Sequence, residues 1–316
     1  MPSYEKNRSS GLWSVRFREV SPQDGKTTNK RLSGFKTKKD AQYGYEDYVA
    51  AKKAAYMTND AWCTFLGTMS ETAKEEYAAG GGDELSEKNG RPPKMASYGS
   101  SSRLIYNLSH KKEGFRFEKK LPTTVGGTAN LDGFFEDENR YIFVEAKCHE
   151  PYTAKKSAVS KSYGALYDYI NTHMSGAVQI DAKESKCGRY LDVNYFAEGE
   201  KLLHFDMKQM ICHLLGIATG VLKGTLAHKQ IDFIYLLYDP TELEIEDKAK
   251  AAIDSIYEKI CYECNLVDFA SLLRVIFEFL RENYYPNAIT DEALESLLCR
   301  FTFTLASQEF YPLLIQ

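Results

Sequence analysis

The sequence predicts an α/β protein: a mixed central sheet flanked by helices, preceded by a small domain of strands and a helix, and followed by a helical C-terminal region. Three observations carry this expectation. Leu12–Val20 (LWSVRFREV) alternates apolar and polar residues, the period of a strand with one buried face. Tyr141–Cys148 (YIFVEAKC) and Ile231–Tyr238 (IDFIYLLY) are apolar runs of strand length, and the second suits a central strand covered on both faces. Asp206–Gly220 and Phe269–Tyr284 repeat apolar residues at helical spacing, with stripes that read as core.

Taken in order, Trp13, Val15 and Phe17 form one face of the first strand and Ser14, Arg16 and Arg18 the other. SPQDGKTTN (21–29) is a turn cluster, and KRLSGF (30–35) returns as a strand. Thr37–Asp40 resembles a capping box and opens a helix through Ala41, Tyr45, Tyr48 and Val49, in which Gly44 costs about 1 kcal/mol. Residues 56–99 read as a connector with one helix near Ser70–Ala79, then Gly80-Gly81-Gly82 and Arg91-Pro92-Pro93. The expected domains are therefore 1–55, the connector 56–99, and 100–316. In the last, Ser101–Ser109 and Lys161–Thr172 read as helices, and Phe115–Leu121 and Ala129–Phe135 as strands. The tail from about Glu244 reads as mainly helical, Ala251–Tyr262 and Phe269–Tyr284 being its clearest members.

Bulk properties narrow the function classes. The chain has 316 residues, 43% hydrophobic and 27% charged, and no apolar run long enough to span a bilayer, so no membrane partner is expected. MPSYEKNRSSG lacks the apolar core of a signal peptide, and seven irregularly spaced cysteines suit reduced thiols; both point to the cytoplasm. Residues 1–55 hold 12 Lys and Arg against 6 Asp and Glu, a charge of +6, whereas the whole chain carries −4. A basic head on an acidic body suits contact of the head with a polyanion; a solvated face without a partner is the plainer alternative.

The segment ANLDGFFEDENRYIFVEAKC (129–148) carries the chemistry. A four-residue turn at Asp137–Arg140 pairs Glu136 with Tyr141, and the same register sets Asp132 opposite Glu145. Glu145 and Lys147, two apart, share that face. Two acids and an amine then converge among apolar neighbours. Charges so placed need mutual pairing or a metal. A structural Glu145–Lys147 ion pair is the alternative. Phosphodiester hydrolysis uses such groups: carboxylates hold Mg²⁺ through hard oxygen ligands, and an amine orients water and offsets developing negative charge.

The spacing Asp132…Glu145-Ala-Lys147 resembles the PD-(D/E)XK, restriction-endonuclease-like nuclease superfamily over roughly residues 100–240, with Leu131 where the signature proline stands. The resemblance implies a Mg²⁺-dependent endodeoxyribonuclease, with Mn²⁺ as a substitute. Asp132 and Glu145 would bind the metal, and Lys147 would assist the attacking water. Ser100–Leu108 resembles the leading helix of some bacterial members. Glu118 resembles an additional metal-binding acid on the preceding strand; the alternative is a solvated residue paired with Lys119 or Lys120. Gln209 and His213 resemble residues of a core helix beside the active site, against the alternatives of a surface amide and a satisfied core histidine. A restriction, defence or mobile-element role follows by analogy only. A homodimer is compatible with the resemblance, as is a DNA-binding protein whose nuclease-like domain is inactive.

The N-terminal segment resembles the arm-site DNA-binding domain of tyrosine integrases, a three-stranded sheet packed on one helix. The resemblance rests on Trp13-Ser-Val-Arg16-Phe-Arg18 and Lys30–Ala41. It implies double-stranded DNA as partner, with Trp13, Arg16, Arg18, Lys30, Arg31 and Lys36 as the candidate DNA-binding residues. No recombinase core follows. Cys261-Tyr-Glu-Cys264 lacks a second ligand pair at zinc spacing, and neither glycine run ends as a phosphate-binding loop does.

Overall fold

Thr37 and Asp40 exchange hydrogen bonds in the computed structural model: the Thr37 N–H donates to Asp40 Oδ2 at 3.0 Å and the Asp40 N–H to Thr37 Oγ1 at 3.1 Å. This reciprocal cap starts the first helix where TKKD predicts it. The structure describes residues 2–7, 9–20, 27–54, 56–80, 84–87, 92–148, 157–174, 176–185, 188–227, 229–239 and 247–315. Most of the predicted turn cluster at 21–29, Gly81-Gly82 and Arg91 lie outside the described residues.

The chain divides into two compact units. The first spans Met1–Ser70 and Asp83–Gly99. Its strands β1 (Ser3–Lys6), β2 (Trp13–Val20) and β3 (Thr27–Phe35) form an antiparallel sheet in that order, against which helix α1 (Lys38–Ala54) packs. Val15, Phe17 and Ala41 are buried between them, and the Phe17 and Tyr45 ring centroids lie 4.9 Å apart. Gly44 is explained by the same packing, because a Cβ there would sit 2.5 Å from the Phe35 ring. Helix α2 (Asn59–Thr68), capped by the Thr58 side chain, lies in the stretch expected to be a plain connector. The Met57 N–H donates to Ala96 O at 2.8 Å and ties the two arms of this unit together.

The second unit spans Glu71–Gly82 and Ser100–Gln316. It begins with α3 (Glu71–Ala79) and α4 (Ser101–Ser109), followed by β4 (Arg116–Pro122), β5 (Thr128–Glu136) and β6 (Arg140–Lys147). Next come β7 (Ser157–Ser160), α5 (Gly164–His173), β8 (Val178–Glu184), β9 (Tyr190–Ala197), β10 (Glu200–Leu202) and α6 (Met207–Leu222). It closes with β11 (Gln230–Leu237), α7 (Asp247–Asn265), α8 (Phe269–Asn283), α9 (Asp291–Leu298), β12 (Phe301–Ala306) and α10 (Tyr311–Leu314).

The central sheet runs β12-β11-β6-β5-β4; β4, β5 and β6 are antiparallel, whereas β6, β11 and β12 are parallel. Ile231, Phe233, Ile234 and Leu236 of β11 are all buried, as its apolar run requires. Two features lie beyond the sequence expectation. Within a tail that is mainly helical, as expected, Phe301–Ala306 (FTFTLA), whose alternation is that of a strand, pairs in parallel with β11. A second, four-stranded sheet of β7 to β10 fills a stretch for most of which no element is assigned from the sequence.

Helix α6 is buried along nearly its whole length. At Gly216 a Cβ would lie 2.8 Å from Ala129 Cβ and 3.0 Å from Leu121 Cβ. The helix therefore presses directly on β4 and β5, and its first two turns reach the C-terminal end of β6. Among the described residues no helix is long and apolar enough to cross a membrane.

Candidate active site

The β5–β6 hairpin is set by its turn. Asp137 Oδ1 accepts the N–H groups of Asn139 at 2.8 Å and Arg140 at 2.9 Å, which fixes the four-residue loop. The register is Glu136↔Tyr141, Phe135↔Ile142, Phe134↔Phe143 and Gly133↔Val144, as the turn length demands. There the ladder stops. In place of a further backbone bond, Asp132 Oδ2 accepts the Ala146 N–H at 2.7 Å. Pairing of β4 with β5 breaks at the same level: Phe117↔Gly133 and Lys119↔Leu131 are paired, whereas Glu118, with a φ of 54°, is skipped. A non-glycine residue in the left-handed region is uncommon and gathers at functional sites. The sheet opens at Asp132, and the opening frees its carboxylate from the regular face.

Glu145 and Lys147 are buried on β6, 2% and 7% exposed. Lys147 Nζ donates to Glu145 Oε1 at 2.6 Å and to Gln209 Oε1. Gln209 is placed by the start of α6, where the Asp206 side chain caps the helix by accepting the Gln209 N–H at 3.1 Å. One turn beyond Gln209 lies His213, 2% exposed, with Nε2 2.9 Å from Glu145 Oε2. That approach is short but misaligned for a hydrogen bond, so Glu145 Oε2 and both ring nitrogens of His213 are buried without hydrogen-bond partners. Glu145 thus sits between two cation-forming side chains, its Oε1 on Lys147 and its Oε2 facing His213.

Electrostatics separate the two acids. Burial would raise the Glu145 pKa, but Lys147 and then His213 outweigh it and bring it down to about 2. Asp132 moves the other way: burial of its carboxyl, then the nearby Glu145 charge, push it well above the ordinary carboxylate range, against Lys147. Lys147 is opposed by burial, but Glu145 foremost, then Tyr235, Asp206 and Asp132, hold its pKa well above normal. Opposed shifts in neighbouring acids are what active sites use.

Among the described residues no group of three or more His, Cys, Asp and Glu side chains is arranged to hold a metal ion. Asp132 and Glu145 are near enough to act on each other's charge, and Glu145 Oε2, which faces His213 Nε2 at 2.9 Å, makes no hydrogen bond. Two carboxylates suit Mg²⁺, which keeps several waters and does not require an all-protein cage. Glu118 lies close enough to act on Asp132, and its Oε2 would lie 2.9 Å from a Cβ at Gly80, so its carboxylate is turned toward the end of α3. Of the neighbouring lysines, Lys119 holds its Nζ 4.3 Å from the Phe134 ring centroid, and Lys120 donates to Ala79 O. Burial pushes the Cys264 thiol up to about 12, the opposite of what a metal-ligating thiolate needs.

Two residues that support the site escape sequence reasoning. Tyr235 pairs with Glu145 across β11 and β6. Glu263 of α7 accepts the N–H groups of Leu203, His204 and Phe205 at 3.0, 2.8 and 2.7 Å and so holds the chain entering α6. Both act across long stretches of sequence, with no local pattern to mark them.

In the first unit, Arg16 and Arg18 are exposed on the face opposite Val15 and Phe17. Arg31 pairs directly with Arg16, so the two guanidinium groups share that outer face, and Glu5 meets Arg16 at 3.2 Å. Lys30 does not join them: it pairs with Phe17 and so projects to the helix-covered side, because cross-strand partners share a face. Lys36 is exposed just past β3, and Trp13 is half-buried between Lys6 and Phe35. No family model, curated protein or solved structure matches the chain.

Proposed function

We propose that this chain is a Mg²⁺-dependent endodeoxyribonuclease that hydrolyses phosphodiester bonds of double-stranded DNA, with Mn²⁺ able to substitute. One observation carries the reading. Asp132 is hydrogen-bonded to Ala146, between Glu145 and Lys147, at a break in the central sheet, and the buried Glu145 Oε2 faces only His213 Nε2 at 2.9 Å, out of line for a hydrogen bond. A purely structural ion pair would gain from satisfying that oxygen, and it would not need an acid with a raised pKa beside it.

Asp132 and Glu145 would hold the metal. When bound, Mg²⁺ supplies Lewis-acid stabilisation of the phosphate and lowers the pKa of a bound water. The other contributions belong to the chain itself. Lys147 keeps its proton, so it donates a hydrogen bond to a non-bridging phosphate oxygen, and its charge helps orient the attacking water and offsets charge gained in the transition state. Gln209 holds the Lys147 ammonium in place, and His213 braces Glu145 from the other side. Ala146, through its N–H, fixes the angle of the Asp132 carboxylate.

The outer sheet face of the first unit, with Arg16, Arg18 and Arg31, supplies affinity for the phosphate backbone. Arg16 and Arg31 stand directly opposite each other, and with Glu5 offsetting only part of their charge the face stays positive toward an anionic partner. The reading also implies the cytoplasm as the compartment.

A plasmid-nicking assay with Mg²⁺, with and without EDTA, tests this. Wild type should nick, and EDTA, Asp132→Ala or Lys147→Ala should stop it while DNA binding persists. Binding without any nicking by the wild type points instead to a DNA-binding protein with a silent nuclease-like domain.

A further inference from the structure

On the β11 face that meets Glu145 and Lys147, Ile231, Phe233, Tyr235 and Leu237 alternate, and only Tyr235 carries a polar atom. Tyr235 is 1% exposed and stands in register with Glu145; Lys147 follows in register with Leu237. The Tyr235 hydroxyl is buried with no hydrogen-bond partner. A phenylalanine would fill the same space without stranding a hydroxyl, so the oxygen has no structural purpose in this state.

Lys147 offers the complementary deficit. An ammonium has three N–H donors, and the bonds made by Lys147 go to Glu145 Oε1 and Gln209 Oε1. If the Glu145 carboxylate turns so that both of its oxygens engage a divalent cation, Lys147 loses its principal acceptor inside a dry site. A buried ammonium then needs another oxygen. Tyr235 stands in register with Glu145, whose Oε1 holds the ammonium at 2.6 Å, so its ring shares the sheet face on which Lys147 reaches that oxygen.

We propose that the Tyr235 hydroxyl is a positioning group for Lys147: it accepts the ammonium N–H that Glu145 releases and keeps Lys147 aimed at the reacting phosphate. The inference rests on the nuclease reading. No bond is made or broken; one hydrogen-bond acceptor replaces another. The rim of the Tyr235 ring is held by Phe205, whose ring centroid lies 5.1 Å away and whose N–H is fixed by Glu263.

Tyr235→Phe removes one atom and should fold, with an unchanged or higher Tm, since it deletes a stranded hydroxyl. In Mg²⁺-dependent nicking of plasmid DNA its kcat should fall on the order of 10-fold at unchanged KM, the pattern of an interaction made at the transition state. Added to Lys147→Gln it should bring no further loss, because both changes remove the same cation from its place. A structural role predicts the reverse: a lowered Tm and full kcat. Wild-type kcat in Tyr235→Phe, or losses that multiply in the double variant, would overturn the inference while leaving the nuclease reading intact. A wild type that does not nick at all overturns both.

Discussion

Asp132 Oδ2 takes the Ala146 N–H at 2.7 Å, the place a strand carbonyl would otherwise fill. The bond anchors the acid to the strand that carries Glu145, yet the closeness of Glu145 and the burial of the carboxyl push its pKa well up. A carboxyl raised in this way holds its proton more tightly folded than unfolded. Metal-free stability therefore falls as pH rises from the unfolded value of about 3.9 through the folded one. Asp132→Asn keeps an oxygen for Ala146 and removes that fall. In urea melts with EDTA, the variant should match wild type near pH 4 and exceed it by on the order of 1 kcal/mol at pH 8, with cleavage lost. A gap that does not widen with pH would rule out the raised carboxyl.

The Glu145–Lys147 pair behaves oppositely. Lys147→Met leaves Glu145 buried with only the misaligned His213 beside it, and breaking one partner of a buried pair costs about 3–5 kcal/mol. The double variant Lys147→Met, Glu145→Gln should recover most of this, because no charge is stranded. In the wild type the Glu145 pKa is down to about 2, so its stabilising share is complete above the unfolded carboxyl value of about 4.3 and is lost as pH falls toward 2. Urea denaturation of the three proteins at pH 7 checks the first statement. If Lys147→Met alone is as stable as wild type, the pair contributes nothing.

Arg16 and Arg31 face each other across β2 and β3 on the exposed side of the small sheet. Removing both relieves a like-charge repulsion, so Arg16→Ala with Arg31→Ala should leave the Tm of the protein nearly unchanged. It should weaken DNA binding and reduce the slope of log K against log salt by roughly 2, one for each phosphate no longer neutralised. Lys30→Ala, on the helix-covered side, should change that slope far less. Fluorescence-anisotropy titrations at several salt concentrations decide it, and equal effects of Lys30 and Arg31 would refute the assignment of faces.

Local signals make the hairpin and the caps legible in the sequence. Turn length alone sets the Glu136↔Tyr141 register, and TKKD sets the start of α1, because both depend on residues within a few positions. The break at Asp132 is not legible. It depends on Glu118 adopting a left-handed conformation and on a side chain replacing a backbone partner, which no alternation pattern encodes. In the sheet of β7 to β10, β7 and β10 have four and three residues, too few to show a period, whereas VQIDAKE and YLDVNYFA, of seven and eight residues, are long enough to show one. Strand β12 shows its period in FTFTLA, but the helices on either side mask it. Charge alone groups Lys30 with its neighbour Arg31, whereas a strand sends adjacent residues to opposite faces. Glu263 and Tyr235 reach the site only through tertiary packing.

Gly216 shows how the helix that carries Gln209 and His213 is seated. Ala in place of Gly stabilises an exposed helix interior by about 1 kcal/mol. Here the new Cβ would meet Ala129 Cβ at 2.8 Å and Leu121 Cβ at 3.0 Å, atoms fixed to their strands that cannot swing away. Overpacking of this kind costs about 1–3 kcal/mol, so Gly216→Ala should be destabilising by on the order of 1 kcal/mol net. The helix can yield only by lifting from β4 and β5. That lift moves Gln209 and His213 away from Lys147 and Glu145, so kcat for DNA cleavage should drop while DNA binding by the first unit is kept. Gly67→Ala is the matched control: nothing lies within 4 Å of its Cβ, so the ordinary helix preference should make it stabilising. Thermal melts and nicking rates for the two variants separate seating from propensity, and a Gly216→Ala protein as stable and active as wild type would show that α6 is not pressed against the sheet.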